Sequence, residues 1–277
     1  MRRTMLGLAG GFALGYLWVR AREMRAELRE PSPPLEPDPA AYGRLRRRLM
    51  LAGIVRSLAQ LAVAAEVAAP LVEPGPGLRE PRPKRVALVA AALALASALE
   101  LPSEFVESYA LERRYGLSKQ PVPDWFADRA KSSALSLAIG VPLIEVLASA
   151  IERRPRSWPL LATVAAFPLL VLTSVLMPTF IAPLFNRFAP LEGELAERIR
   201  ALAARYGAGD ATILRVDMSR QTEKANAYVT GLLGTKRIVV GDTLLARFNE
   251  DETMFVVAHE LGHYVAYDVW RLVASET

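Results

Sequence analysis

The feature that most constrains this chain is a series of long apolar runs separated by charged, proline-rich stretches. Five such runs lie in the first two thirds: Met5 to Val19, Leu49 to Val72, Val86 to Leu101, Ser132 to Ile151 and Trp158 to Phe180. A helix crosses a hydrocarbon core of about 30 Å with roughly 20 residues at about 1.5 Å per residue. Each run is about long enough, and the first is marginal. A soluble domain of 277 residues rarely carries several runs of this kind, so the expected class is a polytopic membrane protein. The first run is followed by the charged stretch Arg20 to Glu30 and by no small-residue cleavage site, which makes it an uncleaved anchor. Five prolines between Pro31 and Pro39 make an extended connector.

The net charge of +5 does not point to nucleic acid, because the arginines sit at the ends of the apolar runs, where they anchor helices. Lys and Arg total thirteen in stretches 20–48 and 102–131, against nine on the opposite side. The excess predicts an N-terminus outside and a cytoplasmic C-terminal region. Arg56, Glu66 and Glu145 fall inside the runs. Charges at that depth are costly and face a polar interior or each other. Two readings are open: an ion pair that helps the bundle pack, or helices that enclose a wet chamber. The chain has no cysteine, which removes disulfides, zinc thiolates and cysteine nucleophiles.

From Pro190 the pattern becomes that of an α+β domain. Leu191 to Tyr206 has helical periodicity, an i,i+4 pair Glu194/Arg198, and a stop at Gly207. Thr212 to Val216, Ala227 to Thr230 and Arg237 to Val240 read as strands, the last two joined by a turn around Gly231 to Gly234. A final helix begins after Asn249, with Glu252 at the capping-box position.

That helix carries His259-Glu260-Leu261-Gly262-His263. A spacing of four puts both imidazoles on one face, about one turn apart, where they can ligate one Zn²⁺. Glu260 can take a proton from a water that the metal acidifies, the arrangement used to hydrolyse peptide bonds. The pentapeptide holds both histidines of the chain. The competing reading is two ordinary surface histidines beside a glutamate. A zinc site needs a third protein ligand. Fourteen residues follow His263, and Glu276, further along the same helix, would point away from the metal. The third ligand is therefore expected beyond Thr277, and the 277-residue chain is expected to be inactive.

Several segments resemble the type I CAAX prenyl endopeptidases, membrane zinc proteases, in their bacterial form. They are Leu111 to Gln120 with Trp125, Phe126 and Asp128 to Lys131; Met177 to Asn186 with Phe188 to Leu191; Lys224 to Gly231; Lys236 to Val240; and Ala258 to Tyr264. The resemblance implies His259 and His263 as zinc ligands, Glu260 as catalytic base, and one Zn²⁺. It places Asn226, Ala227 and Tyr228 on an edge strand near the cleft, where a peptide could add a strand. It implies an internal chamber, which would account for the buried charges, and further membrane helices downstream with a glutamate as third ligand.

The expected fold is mainly α: about five transmembrane spans, followed by the start of a cytoplasmic α+β zincin-like domain. Residues 1–185 would form the membrane domain and 186–277 the incomplete N-terminal part of the peptidase domain. The expected location is a bacterial cytoplasmic membrane, with a peptide or membrane protein as substrate, the bilayer as partner, and no nucleic acid. The competing functions are a non-catalytic scaffold that keeps the protease fold and, less consistent with a zinc helix, a transporter, for which no internal repeat is evident.

Overall fold

The computed structural model describes residues 2–35, 38–72, 82–231 and 234–266. The chain divides into two compact units. Residues 1–118 and 125–148 form the first, and residues 119–124 and 149–277 the second. Most of the turn from Pro74 to Pro83, part of the Gly231 to Gly234 turn, and Glu276 lie outside the described residues, as does the side chain of Glu66.

Each apolar run is helical; the helices of the first four are longer than their runs, and the fifth run is completed by a π turn. In the first unit α1 spans Arg2–Arg29, α2 spans Pro39–Val72 and α3 spans Arg82–Glu104. A π-helical turn, Phe105–Ala110, carries α3 into α4, Leu111–Arg114. The next long helix, α5, is Val122–Arg153, and α6 is Trp158–Leu176. Among the described residues three helical stretches are long and apolar enough to cross a membrane: Pro83–Arg114, Val122–Arg153 and Trp158–Leu184.

Helix also extends into the polar stretches 20–48 and 102–131. Helix covers 20–29 and 39–48, and again 103–114 and 122–131. Hydropathy marks which part of a helix sits in hydrocarbon, whereas backbone hydrogen bonding continues into the aqueous layer. At about 1.5 Å per residue, the 32 residues of α5 extend well beyond a 30 Å core. Pro102 does not end α3 either. A proline lacks the N–H for its own helical bond, and the backbone widens just after it, so that Leu111 N–H reaches back five residues to the Val106 carbonyl.

Polar side chains join the helices of the first unit. Arg56 pairs with Glu100 at 2.9 Å and Glu107 at 3.3 Å, and Tyr16 donates to Glu107 at 3.1 Å. Arg85 holds Glu145 through Nε and Nη2, at 3.0 and 2.8 Å. Arg56 and Glu145 thus find partners on α3 rather than each other. Beside them Phe105, Tyr109, Trp125 and Phe126 form an aromatic cluster with ring centroids 4.9–6.0 Å apart.

In the second unit α6 ends in another π turn, Met177–Ile181. There follow β1 (Phe188–Pro190), α7 (Glu194–Arg205), β2 (Thr212–Val216), β3 (Ala227–Thr230), β4 (Arg237–Gly241), α8 (Asp242–Arg247) and α9 (Glu250–Val265). The sheet order is β1-β2-β4-β3, with β2 and β4 parallel and the outer pairs antiparallel. Leu195, Ile199 and Ala203 of α7 and Val257 and Leu261 of α9 pack on Ile213, Ala227, Ile238 and Val240 to make the core. The three strands and two helices read from the sequence are present; β1 and α8 are additions. Arg198 does not serve a pair within α7. Its guanidinium reaches Glu250 at 3.2 Å and Asp251 at 2.6 Å, and so ties α7 to the start of α9.

Candidate metal centre

Asn249 starts the helix that bears the site. Its side chain accepts from Glu252 N–H at 3.0 Å, and Glu252 returns a bond to Asn249 N–H at 2.9 Å. This reciprocal cap satisfies two of the donors that a helix N-terminus leaves open. Thr253, Val257 and Leu261, four residues apart, form the buried stripe of α9. The opposite stripe therefore faces outward, and it carries Phe255, His259 and His263. Glu260 lies between the two stripes and is half-exposed.

The two imidazoles meet edge to face, with ring centroids 4.6 Å apart, and their Nε2 atoms are 3.1 Å apart. Two nitrogens at 2.0–2.1 Å from one tetrahedral zinc would be about 3.3 Å apart. The donor pair therefore fits zinc in both chemistry and spacing. Among the described residues no third His, Cys, Asp or Glu joins them.

The strand beside this helix is at the sheet edge, and α9 packs against it. Gly241 N–H bonds the Asn226 carbonyl at 2.9 Å, which makes Ala227 and Val240 a non-hydrogen-bonded pair in the antiparallel ladder. It follows that Asn226 and Tyr228 spend their backbone groups on β4, while Ala227 and Val229 direct theirs to the open edge. Side chains alternate as well. Ala227 joins the core under α9, and the Tyr228 ring lies on the other face of the sheet, where burial raises its pKa against a smaller opposing effect of Arg237. Of the three residues expected at the substrate strand, only Ala227 presents free backbone. The strand alternation in the sequence could have pointed to Val229 as its companion.

Lys236, at the foot of β4, was not among the expected site residues. Its ammonium bonds Asp210 at 3.0 Å and the Gly207 carbonyl at 3.3 Å, and it lies 5.9 Å from the ring centroid of Tyr264, which follows His263. Asp210 raises the Lys236 pKa above its ordinary value against desolvation, and the Tyr264 hydroxyl adds to the rise. A cavity of about 360 Å³ elsewhere in this unit is lined by Arg187, Phe188, Ala189, Arg215, Asp217 and Asp242 and by no residue of the histidine pair or the edge strand.

Helices of membrane length and an HExxH helix against the edge of a small mixed sheet define a membrane protein of metallopeptidase type. Residues 50–187 match the family described as CAAX prenyl protease N-terminal, five membrane helices, and residues 190–276 match peptidase family M48. The chain belongs to this family of CAAX prenyl protease-like M48 peptidases. It is 36% identical over 181 residues to CAAX prenyl protease 1 of Saccharomyces cerevisiae, a match covering 65% of this chain and 40% of the relative. It is 33% identical over 171 residues to the uncharacterized metalloprotease YhfN of Bacillus subtilis, covering 61% and 40%. The crystal structure of S. mikatae Ste24p matches with a TM-score of 0.67 at 25% identity, over 98% of this chain and 69% of that one. The chain thus spans about 40% of the length of these curated relatives.

Proposed function

We propose that this chain carries the membrane domain and the first half of the active site of a zinc metalloendopeptidase, with its catalytic region on the cytoplasmic side of a bacterial membrane. The observation that supports this most is the pair of Nε2 atoms 3.1 Å apart on an exposed helix face beside an open strand edge. His259 and His263 would hold the ion, and a third donor comes from outside the described residues. Zinc in such a site supplies a Lewis acid for the scissile carbonyl and lowers the pKa of a water. Glu260 takes the proton of the attacking water on its carboxylate and returns it to the leaving amide nitrogen. An extended peptide or an unfolded stretch of a membrane protein adds to β3 by bonding the backbone of Ala227 and Val229. Asn226 and Tyr228 contribute side chains at the margins.

The test is cleavage of an extended fluorogenic peptide by the purified gene product in detergent. Activity should vanish with a chelator and return with zinc. Glu260→Gln should lower turnover by about 10²–10⁴-fold, the contribution of a general acid–base, while zinc is retained. Full cleavage by Glu260→Gln would overturn the proposal. The competing reading is a non-catalytic scaffold that keeps the protease fold. Zinc retained by the gene product without any cleavage would favour that reading.

A further inference from the structure

Three contacts converge on the Lys236 ammonium, two from the turn that follows α7 and one from the end of α9. Helix α7 closes with Gly207 in the left-handed conformation at φ 74°. Ala208 N–H returns to the Ala203 carbonyl at 2.9 Å and Gly207 N–H to Ala204 at 3.4 Å, the pattern of a Schellman close. That close leaves the Gly207 carbonyl directed outward, and Lys236 donates to it at 3.3 Å. Asp210, in the turn before β2, takes a second bond at 3.0 Å. An ammonium has three donors, and the remaining direction opens on Tyr264, at 5.9 Å from the ring centroid and within the reach of a cation–π contact.

Tyr264 follows His263 directly, and the buried stripe of α9 ends at Leu261. Core packing therefore fixes the helix fully through its middle, and in its final turn only Tyr264, partly buried, leans on the core. The first turn has its own clamp, Arg198 of α7 on Glu250 and Asp251. Lys236 supplies a second hold at the other end, anchored to the turn that follows α7. The helix with the two imidazoles is thus held at both ends.

We propose, building on the zinc site above, that Lys236 is a positioning residue: through Tyr264 it holds the last turn of α9 so that His263 keeps its register with His259. The Lys236 ammonium reaches Gly207, Asp210 and Tyr264, not the imidazoles themselves. It acts by limiting the fraying of a helix end on which one ligand sits.

The experiment compares Lys236→Met, Lys236→Arg and Tyr264→Leu in the detergent-solubilised chain, with hydrogen exchange and zinc affinity as readouts. Lys236→Met should speed amide exchange in a peptide covering 259–266 by about tenfold and leave the peptides of β4 and the first turns of α9 unchanged. Zinc affinity should fall about tenfold, the lower end of what residues behind metal ligands cost. Lys236→Arg should restore most of both. Tyr264→Leu should lose at least as much as Lys236→Met, because it also removes the ring's packing on the core, and the double variant should be no worse than Tyr264→Leu. The proposal is overturned if Lys236→Met exchanges and binds zinc like the parent. It is equally overturned if exchange rises throughout the second unit, which would make Lys236 a general fold residue. Zinc binding that survives His259→Ala and His263→Ala would instead remove the zinc site, and the exchange data would still decide whether Lys236 holds the helix end.

Discussion

At the scale of single residues, the second unit is set by a few side chains that complete bonds the backbone leaves open. Arg237 is one. In the π turn at the end of α6, Ala182 N–H bonds the Met177 carbonyl. The next residue able to reach the Pro178 carbonyl along the helix is Pro183, which has no N–H. Arg237 donates to that carbonyl at 2.6 Å. Arg237→Met should orphan a half-buried acceptor and cost about 1–3 kcal/mol, to be read from thermal unfolding. Glu223 is another such residue. Lys119 holds its carboxyl below the ordinary value of 4.5, against burial, and Arg247 helps. A depressed folded-state pKa stabilises above the unfolded value, and that stability is lost as pH falls through the folded one. Protease sensitivity of 119–124 should therefore rise below about pH 4.5, the ordinary glutamate range, and Glu223→Gln should show that sensitivity at neutral pH already.

At the scale of elements, the edge strand gives the sharpest prediction. Val229 turns its N–H outward, so Val229→Pro removes no ladder bond, whereas Tyr228→Pro removes one. The first should keep the fold and lose peptide affinity, and the second should destabilise the sheet; circular dichroism and peptide binding separate them. Equal loss of fold in both would contradict the assigned register. The elements near this strand were legible in the sequence where local signals agreed. Alternation marked β2, β3 and β4, and Asn249 with Glu252 marked the start of α9. Strand β1 escaped because its three residues end in a proline and gain their meaning only by pairing with β2. The partner of Arg198 escaped for a similar reason: Glu194 is its neighbour in sequence, but Glu250 and Asp251 are its neighbours in space. The HExxH face was fully legible, because helical spacing alone sets which side chains share it. Lys236 was not, since its contacts join three separate segments.

For the whole molecule, the apolar runs announced a membrane protein and their helices, while helix ends and charge partners depended on packing. Arg56 and Glu145 looked equally buried and equally available to each other in sequence. Pairing with Glu100 and Arg85 instead ties each to α3, and Glu107 of the following π turn adds to the hold on Arg56. A charge pair of this sort adds little over an apolar pair of the same shape, but losing one member leaves the other uncompensated. Glu145→Leu should thus destabilise by about 3–5 kcal/mol, and Arg85→Leu with Glu145→Leu should recover much of that loss in detergent unfolding. Additive losses would show that the two side chains do not act as a pair.

The most direct test of the central claim is the zinc content and affinity of the purified chain, measured alongside His259→Ala, His263→Ala and Glu260→Gln. The account predicts one ion per chain in the parent and in Glu260→Gln, with loss of binding in each histidine variant. Equal zinc binding in the parent and the histidine variants would contradict it, and α9 would then be a surface helix carrying two ordinary histidines.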